Sequence, residues 1–176
     1  MPSLRSACSV LPPTRGPLRG HGAAGIVFLL LSAAGGVAAQ EPASWGTPLD
    51  FATFSIAAID PLTGESGVAV TTRVACVGNG VPWVRAGVGA VATQANTRTE
   101  FGDLILGAMS RGASPDAALR EALAADTGAA SRQVGVIGRD GRSAQHTGTG
   151  NSQWAGHRAG ANYATQGNLL TGPEVL

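Results

Sequence analysis

The sequence predicts an α+β protein in which antiparallel strands and helices occupy separate runs of the chain. Strand patterns of period two fill residues 53–94, helical periodicity covers 101–128, and strand patterns return from residue 132. Because strands and helices do not alternate one by one, this order favours antiparallel sheets with a helical layer over a doubly wound parallel sheet. We expect a hairpin, a strand, two helices, a second hairpin and a final strand.

The first strand pattern predicts a β-hairpin between Thr53–Asp60 and Gly67–Val74. In its turn, Pro61 presets φ and Gly64 accepts a left-handed conformation. The apolar set of the first strand is Phe54, Ile56 and Ala58. A single longer strand is expected over Val81–Gln94, where small side chains allow other layers to pack closely on both faces of the strand.

Two helices are expected next. The first begins at Phe101 and ends before Gly112, a plausible left-handed stop. The second begins with Ser114 as the cap and Pro115 in the first turn, and Gly128 ends it. Their predicted buried residues are Phe101, Leu104, Ile105, Ala108 and Met109 in the first helix, and Leu119, Ala122 and Leu123 in the second.

The remaining pattern predicts a hairpin and one more strand. Arg132–Gly138 and Ser143–Thr147 flank an Asp-Gly pair, which is a strong signal for a two-residue hairpin turn. Gly148–Gly160 is expected to be a loop, and Tyr163–Leu170 is the last strand candidate.

Composition excludes several classes of protein. The chain has 176 residues, a formal net charge of +1 and 13% charged residues, so binding to nucleic acid through phosphate contacts is not expected. A mean hydropathy of +0.13 is too apolar for a disordered chain. Two cysteines cannot form a disulfide framework, and the length suits one domain.

The N-terminal 39 residues have the layout of a secretory signal peptide. Arg5, Arg15 and Arg19 precede an apolar run over Ala23–Ala39 that closes with small residues. The alternative is an uncleaved membrane anchor, but the run is shorter than the ~20 residues of a membrane span. We therefore expect a signal peptide over 1–39, a linker over 40–52 and a folded domain over 53–176. The mature protein would be secreted or periplasmic, without further membrane contact.

Several segments in the same order resemble the bacterial domain-of-unknown-function family 1028, which is grouped with the N-terminal-nucleophile (Ntn) hydrolases. The matching stretches are Thr53–Ile56, Asp60–Val70, Val81–Trp83, Ala86–Gln94, Arg132–Val136, Trp154–His157 and Gln166–Asn168. The resemblance implies an αββα sandwich, with two antiparallel sheets between helical layers. Because such proteins continue beyond the point matched by residue 176, it also implies a C-terminally truncated member with an incomplete final helical layer.

The resemblance assigns a catalytic role to Thr53, which heads the first strand. In Ntn hydrolases an N-terminal Thr, Ser or Cys attacks an amide carbonyl, and its free α-amine is the general base. Many family members carry this Thr directly after the initiator Met, whereas signal cleavage here would leave Gln40–Ala52 in front of it. Catalysis therefore requires a second cleavage between Ala52 and Thr53. The alternative is a β-branched residue that only begins a strand.

Other candidate site residues are weaker. Arg73 could lower the pKa of the amine and stabilise negative charge, or it could pair with Asp60 or Glu65. His157, in a motif shared with the family, and Asn168 are the candidates for substrate binding. The oxyanion could be stabilised by Asn168 or by amides of Gly87–Gly89, although these glycines equally suit close sheet packing.

Neither a metal nor another cofactor is expected. The spacing of Asp140, His146 and His157 matches no compact set of metal ligands. Cys76 could be a thiolate nucleophile, but no His lies near it in sequence, and a small buried residue is the more ordinary interpretation.

Two classes of function remain open. One is a secreted amidohydrolase that cleaves a small amide or peptide bond. The other is a non-catalytic protein of the periplasm or cell exterior that binds a ligand or assembles. The expected partners are a small-molecule or peptide substrate and further copies of this chain, because an open sheet face needs cover.

Overall fold

The computed structural model describes residues 52–176 of the chain. The predicted signal peptide over 1–39 lies outside the described residues, and so does the linker apart from Ala52. The described residues form eight strands and two α-helices: β1 (Thr53–Ile59), β2 (Ser66–Thr71), β3 (Pro82–Arg85), β4 (Gly89–Ala95), α1 (Glu100–Ser110), α2 (Pro115–Ala124), β5 (Arg132–Gly138), β6 (Ser143–Thr147), β7 (Gly156–Gly160) and β8 (Tyr163–Asn168). Short 3-10 turns lie at Val77–Asn79, Ala129–Ser131 and Pro173–Val175.

The strands form two four-stranded antiparallel sheets. Sheet A has the order β2-β1-β8-β7, and sheet B has the order β3-β4-β5-β6. Each sheet joins two sequential hairpins through its central pair of strands, β1 with β8 and β4 with β5. Contacts between β1 and β4 and between β5 and β8 stack one sheet on the other. The predicted α+β class with antiparallel sheets is confirmed.

Both helices pack on the face of sheet B that points away from sheet A. Helix α1 contacts β3 and β4, and helix α2 contacts β5 and β6. Ser114 caps α2 as expected, its side chain accepting a hydrogen bond from the amide of Ala117 at 3.2 Å. Leu104, predicted to be buried, is 51% exposed, while Leu106 is buried instead. The core between helices and sheet contains Phe101, Ile105, Leu106, Leu119, Val91, Val134 and Val136. Neither α-helix of the described residues is long and apolar enough to cross a membrane.

The interface between the two sheets changes character along its length. At one end it is apolar, and its buried residues are Ala57, Ile59, Ala90 and Ile137. At the other end it is polar, with Ser55, Gln94, Gln133, Gln166 and Asn168 all at most 6% exposed. Because β1 starts at the polar end, its first residue lies among buried amide side chains.

Strand β1 shows the expected alternation, but the predicted buried face is wrong. Ser55, Ala57 and Ile59 point into the interface between the sheets and are buried. Phe54 and Ile56 lie on the outer face of sheet A and are only half-buried. The prediction took the more apolar face of β1 as the buried one. In the structure, the interface between the sheets buries Ser55 beside amide side chains.

Two further element predictions need correction. Val81–Gln94 is a hairpin of β3 and β4 and not one strand, because Gly87 and Gly89 adopt positive φ values of 71° and 145° that reverse the chain. The predicted loop over Gly148–Gly160 ends in strand β7. The predicted hairpins at Gly64 and Gly141 are both formed, with φ values of 75° and 78° at these glycines.

The outer face of sheet A is not covered by an α-helix of the described residues, since both α1 and α2 contact sheet B. This arrangement has one helical layer and two sheets.

Candidate functional site

The candidate site lies where β1 begins. Strand β1 is antiparallel to both β2 and β8, so its first residue is beside the ends of its two neighbours. Thr53 is the Cα partner of Asn168, the last residue of β8. On the other side, the hydroxyl oxygens of Thr53 and Thr72 are 2.9 Å apart. The antiparallel sheet thus joins three polar side chains from distant parts of the sequence.

Two pockets meet at Thr53, and both are also lined by Val74 and Ala95. We name the first the Cys76 pocket; its volume is about 350 Å³ and its other lining residues include Cys76, Val77, Val81 and Gln94. The second is named the Arg73 pocket; its volume is about 290 Å³ and its other lining residues include Arg73, Asn96, Ser131, Asn151 and Asn168. The Thr53 side chain therefore stands between an apolar space and a polar one.

Arg73 lies in the loop that follows β2, two residues beyond the end of the strand, and its side chain is exposed. It forms no salt bridge within residues 52–176, so the alternative pairing with Asp60 or Glu65 is not formed there. Both acids belong to the turn before β2, at the other end of that strand. The guanidinium is thus available to the pocket that it lines.

Asn168 is held by a buried network of amides that sequence reasoning missed. Its Nδ2 donates to Oε1 of Gln133 at 3.0 Å, and Nε2 of Gln94 donates to the same oxygen at 2.8 Å. Nε2 of Gln133 in turn donates to the carbonyl of Gly167 at 2.8 Å. The signal in the sequence is a glutamine within each of three apolar strands, Gln94, Gln133 and Gln166. The hydrogen bonds of this network fix the position of the Asn168 side chain, although the buried Oε1 atoms of Gln94 and Gln166 have no hydrogen-bond partner among the described residues.

His157 is not brought to Thr53. It lies on β7, at the edge of sheet A, is exposed, and lines neither the Cys76 pocket nor the Arg73 pocket. Its Nδ1 is 2.9 Å from the hydroxyl oxygen of Thr147. Desolvation by neighbouring groups and then the charge of the nearby His146 lower the pKa of its imidazole below the ordinary value of 6.5. A direct role of His157 in substrate binding stays a prediction.

The glycine run and Cys76 also differ from expectation. Gly87–Gly89 lies at the opposite end of β4 from Gln94, about 17 Å away at ~3.4 Å per residue, so its amides are remote from Thr53. Cys76 is exposed, not buried; it directly precedes the 3-10 turn at Val77–Asn79 and has a φ of 58°. Its thiol belongs to the pocket that bears its name.

Within residues 52–176, no three His, Cys, Asp or Glu side chains are grouped closely enough to hold a metal ion. His146 Nε2 is 2.8 Å from the carbonyl oxygen of Ala129, which occupies that ring nitrogen. The polar groups that line the two pockets at Thr53 include hydroxyls, amides, the thiol of Cys76 and the guanidinium of Arg73.

Fold and site together define an α+β protein of two stacked antiparallel sheets, with a threonine at the start of a central strand between two pockets. The chain belongs to a family of unknown function, DUF1028, whose family model matches residues 53–176.

A crystal structure from the same family, of protein SPO2555 from Silicibacter pomeroyi, is similar to this one, with a TM-score of 0.69 and 34% sequence identity. The match covers 71% of this chain and 58% of that one, so the present chain spans little more than half the length of this relative. A search of curated proteins finds no match.

Proposed function

We propose that this protein is an amidohydrolase of the N-terminal-nucleophile type, with Thr53 as its nucleophile, acting on a small amide or peptide bond. The observation that carries the proposal is the position of Thr53 as the first residue of a central strand, between two pockets. The family match also begins at Thr53, so the part of the chain shared with the family has this residue at its head.

The proposed reaction begins after the peptide bond between Ala52 and Thr53 has been cleaved. The freed α-amine, with an ordinary pKa of about 8, accepts the proton of the Thr53 hydroxyl as the oxygen attacks the amide carbon. The tetrahedral intermediate collapses, the carbon–nitrogen bond breaks, and the amine passes the proton to the leaving nitrogen. Water then cleaves the acyl ester by the same route, releasing the acid and restoring Thr53.

Two neighbours of Thr53 supply the accompanying electrostatics. Asn168 has one amide hydrogen engaged with Gln133 and a second hydrogen free to face an oxyanion. Arg73 places a positive charge on the same side, which lowers the pKa of an adjacent amine and stabilises negative charge. Thr72 orients the nucleophilic hydroxyl through the contact at 2.9 Å.

A short peptidyl β-lactone tests the proposal without knowledge of the substrate. The Thr53 oxygen attacks the lactone carbonyl, the ring carbon–oxygen bond opens, and the released alkoxide takes the proton from the amine. We expect one adduct per chain, mapped to Thr53 by peptide mass analysis and absent in Thr53→Ala. Thr63→Ala is the matched control, since Thr63 lies in the exposed β1–β2 turn. A lactone adduct that persists in Thr53→Ala would contradict the proposal.

The second candidate is a non-catalytic binding or assembly protein. What favours it is the peptide bond between Ala52 and Thr53. While this bond is intact, the nitrogen of Thr53 is an amide and cannot act as the general base. For either candidate we propose action outside the cytoplasm, because residues 1–39 have the layout of a signal peptide.

A further inference from the structure

We propose that the two pockets at Thr53 divide the substrate at its scissile bond. The Cys76 pocket takes an uncharged aliphatic acyl portion, and the Arg73 pocket takes a leaving portion that carries a carboxylate. The substrate class is then a short N-acylated peptide with a free C-terminus. This inference rests on the proposed function, because it takes Thr53 as the point of cleavage.

The chemistry of the Cys76 pocket selects an uncharged group. No charged side chain is present among its described lining residues. Its lining combines the apolar side chains of Val74, Val77 and Val81 with neutral polar ones, mainly threonines and the buried amide of Gln94. An ionised group would lose its hydration here without gaining a counter-charge, whereas an aliphatic side chain gains from leaving water.

The chemistry of the Arg73 pocket selects an anion. Among its described lining residues Arg73 carries a charge and no acid is present to neutralise it. The other polar groups there are neutral, and the Asn151 amide is already engaged with the carbonyls of Arg132 and Gly148, so Arg73 is the group in this pocket that would hold an anion. Arginine matches a carboxylate through two parallel hydrogen bonds, so a free C-terminus next to the cleaved bond fits this side.

The size of the pockets limits the length of the substrate. Volumes of about 350 Å³ and 290 Å³ lie at or below the lower end of the range of about 300–1,000 Å³ found for ligand pockets. Pockets of this size suit a short substrate better than a long chain. N-acetyl-L-leucyl-glycine is a matched probe, with leucine on the Cys76 side and the glycine carboxylate on the Arg73 side.

Cys76 provides a readout of binding that does not depend on turnover. Its exposed thiol lines the pocket that the leucyl side chain would enter. We expect N-acetyl-L-leucyl-glycine to slow alkylation of Cys76 by iodoacetamide at least fivefold, as mapped by peptide mass analysis on the purified protein. N-acetyl-L-leucyl-glycine amide should need about tenfold higher concentration for the same protection of Cys76. N-acetyl-L-aspartyl-glycine should protect least.

Arg73→Gln tests the division directly. This substitution should abolish the preference for the free acid over the amide, whereas Arg139→Gln should preserve it. Arg139 is a matched control because it is also exposed and lines a different pocket. Equal protection by acid and amide in the unsubstituted protein would overturn the inference, and so would protection by the aspartyl compound as strong as that by the leucyl one.

The failure of this inference can be told apart from the failure of the proposed function. If Thr53 is not a nucleophile, the protection pattern still appears but no lactone adduct forms. If the substrate class is wrong, the lactone adduct forms but the protection pattern is absent. Where turnover is measured, Arg73→Gln should raise KM for N-acetyl-L-leucyl-glycine more than for its C-terminal amide. If Arg73 acted only by stabilising charge at Thr53, the substitution would instead lower kcat for both compounds.

Discussion

The hydroxyl oxygens of Thr53 and Thr72 are 2.9 Å apart, which links the first residue of β1 to the segment that follows β2. Thr53 is the proposed nucleophile, and Thr72 lines the same pocket. A hydrogen bond between them restricts the directions that the Thr53 hydroxyl can take. Thr72 is therefore a positioning residue in this account.

Thr72→Val should reduce kcat because it keeps the shape of the side chain and removes the hydroxyl. A typical hydrogen bond is worth about 1 kcal/mol, which corresponds to a roughly fivefold lower kcat. KM should change little, and Thr72→Ser should restore kcat. Steady-state kinetics with N-acetyl-L-leucyl-glycine measure this. Equal loss in the Val and Ser variants would indicate a purely structural role.

Gly102 in α1 is required because the indole of Trp83 lies against it. A Cβ at Gly102 would stand 2.0 Å from Cδ2 of Trp83. Gly102→Ala should lower the free energy of unfolding by about 1–3 kcal/mol, since overpacking outweighs the gain in helix propensity. Urea unfolding measures the change.

Gly107, in the same helix, is the control. A Cβ there would meet only Nη1 of Arg111, at 3.5 Å, and Nη1 of Arg85, at 4.0 Å. Gly107→Ala should be neutral or should raise stability by up to about 1 kcal/mol. The same loss in both variants would show that helix context, and not Trp83, sets the cost.

Asp126 makes stability sensitive to acid. Its carboxylate accepts a hydrogen bond from Nε of Arg132 at 2.7 Å and lies 3.2 Å from Nη1 of Arg98. The hydrogen bond from Arg132 is the main cause that lowers the pKa of Asp126 from 3.8 to about 2. Because the native state favours the charged form, this stabilisation is complete above pH ~4 and is lost as the pH falls towards 2.

Asp126→Asn should therefore flatten the loss of stability between pH 5 and pH 2, as measured by urea unfolding at each pH. Glu121→Gln is the control, because Glu121 is exposed on α2 and forms no salt bridge within residues 52–176. An unchanged acid slope in Asp126→Asn would contradict the assignment.

We predict that the chain associates with copies of itself through the outer face of sheet A. The apolar side chains on this face are Phe54, Ile56, Ala58, Ala69 and Tyr163. Phe54, Ile56 and Ala58 are half-buried, and no α-helix of the described residues covers them. An apolar sheet face without cover is a surface on which association is expected. Ile56→Lys should lower the mass measured by light scattering, whereas Leu62→Lys, at a turn residue that is 93% exposed, should not. A monodisperse monomer of the unsubstituted chain would contradict this prediction.

Local signals in the sequence were sufficient for most elements of the fold. The cap at Ser114 and the turns at Gly64 and Gly141 depend on neighbouring residues, and all three are formed. The hairpin at Gly87 was missed because a run of small residues is equally compatible with a strand and with a reversal. The buried face of β1 was wrong because the polar interior next to Ser55 comes from strands far away in sequence.

The distinction between local sequence signals and pairing of distant strands also applies to the candidate site. Pairing of sequential strands β1 and β2 brings the start of one near the end of the other, so the proximity of Thr53 and Arg73 follows from a local hairpin. Asn168 reaches Thr53 only through the pairing of β1 with β8, which no local pattern specifies. His157 was grouped with them by motif alone, and its place on the edge strand depends on the order of strands in sheet A.

The most direct test is the identity of the first residue of the protein in its active form. N-terminal sequencing together with intact-mass analysis should find Thr53 first, with an unblocked amine. Turnover by a protein whose chain still begins upstream of Thr53 would contradict the proposed chemistry, since the nitrogen of that residue would be an amide and could not accept the proton.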